Sequence, residues 1–275
     1  MMRKLFYQLS PLFRFLVRYV VYLPVDLILG RKNKILPPRR LIYTGRGDFE
    51  KQGMEWLDFF IRDAGLTSNS SVLDIGSGIG RIAIPMMNML EGPYEGFDVV
   101  KTGVDWCRKN ISSRKPNFRF QFVDLHNDLY KRKGRNAADY HFPYEKKSFD
   151  FICAISIFTH LLPEETENYF RQITRVIKPG GCAVFTFFLL DEETHRLMVK
   201  NKNGLQFLYP FGHYSLLNLG VRSANVAYQR KYIHKLVEES NLKIIKEIKG
   251  SWCGRKKNHY LDFQDILVLH KPARF

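Results

Sequence analysis

An acid followed by three alternating glycines is the part of the chain whose residue types point most directly to chemistry. The decapeptide Val72–Arg81 reads VLDIGSGIGR, and Asp74 closes its short apolar run. The glycines are Gly76, Gly78 and Gly80. A buried strand that ends in an acid, followed by glycines that admit a ligand close to the backbone, is how α/β proteins hold adenosine-containing cofactors. Dinucleotide-binding loops need glycine or alanine where Arg81 stands, so the spacing argues against a dinucleotide.

The hydropathy pattern predicts the elements that must position this loop. Apolar runs typical of strands are SVLDIG, YEGFDVV, FRFQFVD, Ser148–Phe158 and Cys182–Leu190. Apolar residues at helical spacing lie at Gln52–Ala64, Ile79–Leu90, Lys101–Ile111 and Pro163–Ile177. A helix at Tyr228–Ser240 and two strands, LKIIKEIKG and LDFQDILVLHK, complete the series. Strands that alternate with helices predict an α/β fold whose parallel sheet carries helices on both faces.

The pattern also predicts how the chain is divided. Residues 1–40 form a basic, apolar helical extension, which ends at a pair of prolines, and residues 41–275 form the main domain. Within this domain, residues 191–227 follow neither a strand nor a helix pattern, which predicts a long irregular insertion. An insertion of that length in a compact domain usually shapes a site.

Four fragments in chain order make the function more specific. They are VLDIGSGIGR, YEGFDVV, FPYEKKSFDFICAISIFTHLLPEE and ITRVIKPGG, spread over roughly residues 70 to 190. Together they resemble the consecutive motifs of the class I S-adenosylmethionine (SAM) methyltransferases. Within that class, the chain is most similar to a bacterial subgroup of type 11/25-like methyltransferases. The resemblance implies SAM as the cofactor and no metal. It also implies a Rossmann-like, doubly wound, mostly parallel seven-stranded sheet with a C-terminal antiparallel hairpin and an N-terminal helical extension.

The resemblance assigns roles toward SAM to the residues at the strand ends. Asp74 orders the loop and engages the methionine amine, and the glycines allow close backbone approach. Asp98 accepts both ribose hydroxyls. Asp124 meets the adenine amino group, with Leu125 on the ring. A helix that starts at Ile79–Arg81 would favour the methionine carboxylate, because a helix N-terminus attracts anions.

Methyl transfer from a sulfonium needs alignment, exclusion of water and, for some acceptors, a base. His160 lies beyond the fourth strand and is the candidate base; the alternative is a ring that only fixes its loop. Ser156 is expected to contact the cofactor through its backbone. An Asn/Asp-Pro-Pro-aromatic run, typical of enzymes that methylate amides or bases, is replaced here by Ser156-Ile-Phe-Thr. Residues that line the site by subgroup resemblance only are Arg46, Asp48, Trp252 and Arg255, and for Trp252 an ordinary core position is an equal alternative.

The charge is large and uneven. The chain has 43 basic and 27 acidic residues, a net charge of +16, and its first forty residues contain a single acid, Asp26. Leu12–Leu29 is apolar but interrupted by Arg14 and Arg18, which argues against a transmembrane helix or a signal peptide and leaves a transit peptide open. Two further interpretations remain open. The segment is an interfacial helix, with its aromatics toward the lipid and its arginines among the headgroups, or it packs on its own domain and caps the site.

These observations predict a SAM-dependent methyltransferase that acts on a small or lipid-linked acceptor, at oxygen. An RNA methyltransferase that uses the basic loops at 131–135 and 255–257 is the alternative, although no RNA-binding module is recognisable and nucleic acid is not the expected partner. The third hypothesis is a non-catalytic protein that keeps the fold for interaction with a partner. Four scattered cysteines argue against metal ligation and disulfides and favour a cytoplasmic location, with the inner membrane face left open. The acceptor and the oligomeric state do not follow from the sequence.

Overall fold

The computed structural model describes most of the chain, namely residues 10–30, 35–43, 45, 47–130, 133–202, 204–256 and 263–273. Its main sheet has seven strands: β1 (Val72–Ile75), β2 (Tyr94–Asp98), β3 (Phe118–Phe122), β4 (Phe149–Ala154), β5 (Ile177–Phe187), β10 (Lys243–Ile248) and β11 (Asp265–His270).

The strand order is β10-β11-β5-β4-β1-β2-β3. Every neighbouring pair among β1 to β5 is parallel, whereas β11 runs antiparallel to both β5 and β10. The predicted doubly wound sheet with a closing antiparallel hairpin is confirmed. Because the chain leaves β1 toward β2 and later returns to β4 on its other side, the end of β1 is the switch point at which such sheets bind ligands.

Seven α-helices lie in the described part of the chain: α1 (Pro11–Leu29), α2 (Phe49–Ala64), α3 (Ala83–Met86), α4 (Lys101–Cys107), α5 (Pro163–Val176), α6 (Glu192–Lys200) and α7 (Arg230–Glu239). The helix predicted over Ile79–Leu90 is reduced to the four residues of α3. Pro85 stands inside it and has no N–H for a helical hydrogen bond, so the regular helix stays short and turns continue the chain on either side.

The strands predicted on either side of α5 have other bounds than expected. β4 ends at Ala154 rather than Phe158, because Ser156 has a φ of 61° and no strand continues through that conformation. β5 starts at Ile177, so the Lys-Pro-Gly-Gly run that was expected to end α5 lies within the strand.

Residues 191–227 are more regular than the sequence predicts, because they contain α6, two short strands and the start of a third. A second sheet, ordered β6-β9-β8-β7, is formed by β6 (Leu189–Leu190), β7 (Tyr209–Phe211), β8 (Tyr214–Leu216) and β9 (Val226–Gln229). Strands of three or four residues leave too short a pattern to identify from sequence. Trp252, Phe188 and Phe207 pack ring against ring with centroids 5.3 to 5.5 Å apart, so Trp252 is a core residue that joins this unit to the main sheet.

Candidate cofactor site

The glycine loop is attached to the end of the neighbouring strand by its own backbone. The amides of Gly76 and Ser77 both donate to the Phe97 carbonyl, at 2.9 and 3.0 Å, and the Gly78 amide donates to Asp98 Oδ2 at 2.8 Å. These bonds place the loop directly against Asp98, the acid that ends β2. The sequence-predicted loop and acid therefore form one structural unit.

All three glycines have positive φ angles, 78°, 58° and 82° along the chain, which side chains rarely tolerate. At Gly76, a Cβ would lie 2.0 Å from Ile157 Cδ1, in the loop that follows β4. At Gly103 in α4, a Cβ would lie 2.5 Å from the Gly78 carbonyl oxygen. Glycines thus let the loop after β1 contact both the loop after β4 and the first turn of α4.

Asp98 is placed to bind a diol at the end of β2. Burial raises the pKa of its carboxyl to about 6, although the amides of Val100 and Gly78 donate to it and oppose that rise. Each carboxylate oxygen accepts one backbone hydrogen bond and keeps further lone-pair capacity. The position fits the predicted contact with the ribose hydroxyls.

Asp74 faces the protein interior. Tyr94 donates its hydroxyl to Asp74 Oδ2, and the Cys153 thiol lies 3.5 Å from Oδ1. Burial raises the pKa of this carboxyl to about 6 as well. The arrangement suits the predicted ordering of the loop, because Asp74 links β1 to β2 and β4. Contact with a methionine amine stays a prediction.

Asp124 and Leu125 follow β3, next to the Asp98 end of β2, because the Val123 amide donates to the Asp98 carbonyl at 3.0 Å. The Asp124 residue is exposed, and its carbonyl accepts from the Arg135 amide at 2.9 Å. Leu125 is buried in the core. The strand ends thus bring both residues to the same edge of the sheet as Asp98.

Ser156 has a strained backbone, as residues at functional sites often do, with a φ of 61°. Its amide donates to Thr186 Oγ1 at 2.7 Å, so the expected backbone contact with the cofactor is limited to the carbonyl. Its hydroxyl donates to Gln264 Oε1 at 3.0 Å. Gln264 lies in the loop before β11, and the sequence predicted no role for it.

His160 lies in the 3-10 turn Phe158–His160, beyond β4. Its Nδ1 is 2.7 Å from the Ser223 carbonyl oxygen, which can only accept, so Nδ1 carries the proton and Nε2 keeps a lone pair. Burial lowers the pKa of the ring, against the opposing effect of the Ser223 contact, so the ring is neutral at pH 7. His160 therefore has the tautomer that a base needs, and the same bond also fixes its loop. Both predicted roles fit this geometry.

Two aromatic residues that the sequence did not single out border the cleft. The Tyr43 hydroxyl lies beside the Asp98 carboxylate and, among the described residues, has no hydrogen-bond partner of ordinary geometry. The rings of Tyr43 and Tyr130 are 6.3 Å apart, and the Tyr130 ring meets His160 edge-on at 5.9 Å. The buried Ser77 hydroxyl, next to Gly76, likewise has no partner in the part of the chain described. The Tyr43 hydroxyl thus adds a polar group beside the Asp98 carboxylate.

Arg81 brings positive charge to the end of the glycine loop. Burial, and then the nearby Arg18 of α1, lower the pKa of its guanidinium to about 10, so it remains charged at pH 7. Because α3 has only four residues, the predicted helix N-terminus at Ile79–Arg81 does not form. The Arg81 guanidinium itself donates to Gln52 Oε1 and lies over the Phe49 ring.

The residues expected at the site by subgroup resemblance have mostly structural roles. Asp48 caps α2 by accepting from the Lys51 amide at 3.0 Å, and Trp252 is buried. Arg255 pairs with Glu193 of α6 at 3.0 Å. Arg46 lies outside the described residues. None of these contacts of Asp48, Trp252 and Arg255 involves Asp98.

The N-terminal helix α1 packs on the domain through its charged residues. Arg14 donates to the Leu129 carbonyl, and Asp26 accepts from the amides of Arg39 and Arg40 at 2.9 and 3.1 Å. These contacts turn Arg14 and Asp26 inward, as expected if the segment packs on its own domain, whereas its association with a membrane stays a prediction. Among the residues that the structure describes, no helix has both the length and the apolar character to cross a bilayer.

The strand order and the acid-glycine loop beside Asp98 define a Rossmann-like domain built for a nucleoside cofactor. Residues 72–181 match the family described as a methyltransferase domain. This match, together with the fold, identifies residues 72–181 as a class I SAM-dependent methyltransferase domain, and SAM is the cofactor of that family.

Three comparisons illustrate the range of its relatives. The chain is 28% identical to methyltransferase GfsG of Streptomyces halstedii over 42% of its own length and 37% of that protein. It is 26% identical to the tRNA N(3)-cytidine methyltransferase METTL2 of Bos taurus over 42% and 29% of the two chains. A SAM-dependent methyltransferase structure from Methanosarcina mazei shares the fold with a TM-score of 0.52, 15% identity and coverage of 76% and 95%. The matched stretch spans less than half the length of these two curated relatives.

Proposed function

We propose that this protein transfers a methyl group from SAM to an oxygen atom of a small or lipid-linked acceptor. The observation that carries the proposal is the fixed tautomer of His160. Its Nδ1 donates to the Ser223 carbonyl, which leaves Nε2 as a free proton acceptor at neutral pH, on the loop beyond β4. An attacking hydroxyl must lose its proton, and a neutral imidazole can accept it.

The residues around the cleft support separate parts of this reaction. Asp98 would hold the ribose, the glycine loop would lie along the methionine moiety, and Arg81 with Arg18 would favour its carboxylate. When bound, SAM supplies a methyl carbon on a positively charged sulfur that leaves as a neutral thioether. His160 would orient the acceptor hydroxyl and take its proton at Nε2. Tyr43 and Tyr130 would cover the cleft and exclude water.

The surroundings of His160 favour an acceptor with an apolar part. Leu129, Val221 and Ala224 form a small buried cluster with Tyr130 packed against it, directly beside the His160 ring. A wall of this kind suits an aliphatic or aromatic group better than a polyanionic backbone.

RNA is the second candidate substrate. Four curated relatives are described as tRNA N(3)-cytidine methyltransferases, and Lys133 and Arg135 are exposed on the loop that pairs with Leu125. Base contacts in such enzymes need stacking platforms, and the aromatic residues described near the cleft, Tyr43 and Tyr130, pack on each other instead.

The test is a comparison of lipid, polar and RNA extracts from cells that produce the wild-type protein, the Asp98→Asn variant or neither. Cells are fed methionine with a deuterated methyl group, and mass spectrometry identifies molecules that gain this group only with the wild type. Labelled lipid or small molecules with a new O-methyl group are the expected result. Label only in RNA would establish the second candidate. If no class gains label and calorimetry shows no binding of S-adenosylhomocysteine, the protein is not an enzyme of this family and the proposal is wrong.

A further inference from the structure

Helix α1 is amphipathic, but its charged face is turned toward the protein and its apolar face outward, the reverse of an ordinary surface helix. Its charged residues, Arg14, Arg18 and Asp26, are buried or half-buried against the domain. Surface helices of globular proteins place charges outward and apolar residues inward. In α1 the inner face is held by polar contacts, including those of Arg14 with Leu129 and Asp26 with Arg39.

The outward face of α1 is apolar along its whole length. Its large hydrophobic side chains are between 42% and 81% exposed, and they are Phe13, Leu16, Val17, Val20, Val21, Leu27, Ile28 and Leu29. From Phe13 to Ile28 these residues, together with the exposed Pro24, recur at spacings of three and four residues and make one continuous stripe, here called the outer stripe, about 22 Å long. Scattered apolar residues on a surface are normal, whereas a stripe of this extent marks a surface that binds something apolar.

The charge distribution identifies what covers the outer stripe. The chain has a net charge of +16, and in sequence the helix is flanked by Arg3 and Lys4 on one side and by Arg31, Lys32 and Lys34 on the other. A second copy of the chain would bring the same positive charge against this surface and would be repelled. An anionic bilayer offers acyl chains to the stripe and negative headgroups to the flanking residues.

We propose that the outer stripe is a membrane-docking surface, with α1 lying in the plane of an anionic bilayer and its polar inner face resting on the domain. The same helix contacts the site, because Arg14 binds the carbonyl of Leu129, and the adjacent Asn127 donates to the His160 carbonyl at 3.3 Å. Docking would therefore place the loop of Asn127 and Leu129, which contacts His160, close to the bilayer. The inference goes beyond methyl transfer and does not depend on it, since binding to vesicles needs neither cofactor nor acceptor.

Vesicle co-sedimentation of the full chain tests the proposal. The vesicles are pure phosphatidylcholine, or equal parts of phosphatidylcholine and phosphatidylglycerol. The variant Val20→Asp with Val21→Asp places two charges in the outer stripe. Its control, Val199→Asp with Leu208→Asp, adds the same charge at equally exposed apolar positions elsewhere, since these residues are 73% and 68% exposed.

The wild type and the control are expected to bind the mixed vesicles, and less so as salt is raised, because counterions screen the headgroup charge. The stripe variant should bind roughly tenfold more weakly or worse. Calorimetry with S-adenosylhomocysteine shows whether each variant is folded. Equal loss in both variants would mean that net charge alone governs binding and would overturn the proposal. A wild type that ignores vesicles but sediments as a dimer, which the stripe variant abolishes, would show that a second copy covers the stripe.

Discussion

At the scale of single residues, Asp98 connects structure with ligand binding. It accepts the Gly78 and Val100 amides while ending β2, so its carboxylate fixes the glycine loop to the end of that strand. The raised pKa of Asp98, about 6, makes this same residue sensitive to mild acid.

Asp98→Asn should weaken S-adenosylhomocysteine binding about 10- to 100-fold, because one acceptor oxygen becomes an NH2 group that can accept neither from a backbone amide nor from a ribose hydroxyl. In the wild type, affinity should fall as the pH is lowered through about 6, since protonation of the raised-pKa carboxyl removes an acceptor. The variant should lose this pH dependence. Isothermal calorimetry measures both effects, with Asp105→Asn on the exposed side of α4 as the control. A wild-type affinity that is flat from pH 8 to about pH 5 would contradict the ribose role of Asp98.

His160→Asn should lower kcat about 10²- to 10⁴-fold once an acceptor is known, with cofactor affinity unchanged. The pKa of His160 lies below its usual value, so the wild-type rate should hold at neutral pH and fall only in acid, as Nε2 becomes protonated. His195→Asn, at an exposed position of α6, is the control for the substitution. Full turnover of the His160 variant across the pH range would reduce His160 to a loop-fixing residue.

At the scale of elements, the site depends on close approach between the glycine loop, α4 and the segment before α2. Gly103 permits this contact, since a Cβ there would lie 2.3 Å from the Tyr43 hydroxyl and 2.5 Å from the Gly78 carbonyl. The loop after β4 approaches from the other side through Ile157. Four segments from different parts of the sequence therefore pack together at this point.

The substitution Gly103→Ala has opposite expected effects on stability through helix propensity and through packing, so it shows which of the two dominates. Propensity alone would stabilise α4 by about 1 kcal/mol, whereas the clash with backbone should destabilise the protein by about 1–3 kcal/mol. Urea denaturation measures the sign, and S-adenosylhomocysteine affinity should fall with it. Thr102→Ala, at the exposed neighbouring position, is expected to be neutral or slightly stabilising. A gain in stability from Gly103→Ala would show that α4 does not press on the glycine loop.

At the scale of the whole molecule, ligand binding and folding are linked. A ligand that binds only the folded state at a hundred times its Kd adds about 2.7 kcal/mol to the free energy of unfolding. For a chain of this size that corresponds to a rise in Tm of about 5 to 10 °C.

S-adenosylhomocysteine should therefore raise Tm by this amount in a thermal-shift assay, and NAD should leave it unchanged. The distinction follows from Arg81, which occupies the place where a dinucleotide-binding loop needs a small residue. The Asp98→Asn variant should show a smaller shift at the same ligand concentration. A comparable shift with NAD would contradict the exclusion of dinucleotides.

The sheet and the cofactor residues could be predicted because their signals are local. Apolar runs, an acid at the end of each strand and glycines at alternate positions are all visible within a decapeptide such as VLDIGSGIGR. Parallel strands then bring their C-terminal ends to one edge, which is why Asp74, Asp98 and Asp124 meet there. The strand order of the structure confirmed this part of the fold, and the family match confirmed SAM as the cofactor.

Other features depend on contacts between residues far apart in the chain. The tautomer of His160 is set by the Ser223 carbonyl, and the hydroxyl of Ser156 by Gln264. The short strands of the second sheet pair mainly with one another, so no single one has a readable pattern. Sequence spacing alone contains none of these distances.

Helix α1 shows most clearly what the sequence determines and what only the tertiary structure decides. Its sequence determined an amphipathic helix with arginines on one side and hydrophobic residues on the other, and that pattern fits two opposite orientations equally well. The tertiary structure decided between them, because Arg14 binds Leu129 and Asp26 binds Arg39 and Arg40. Hydrophobic periodicity defines the faces of a helix, but only the surface it packs against, here one of backbone carbonyls and amides, decides which face is turned inward.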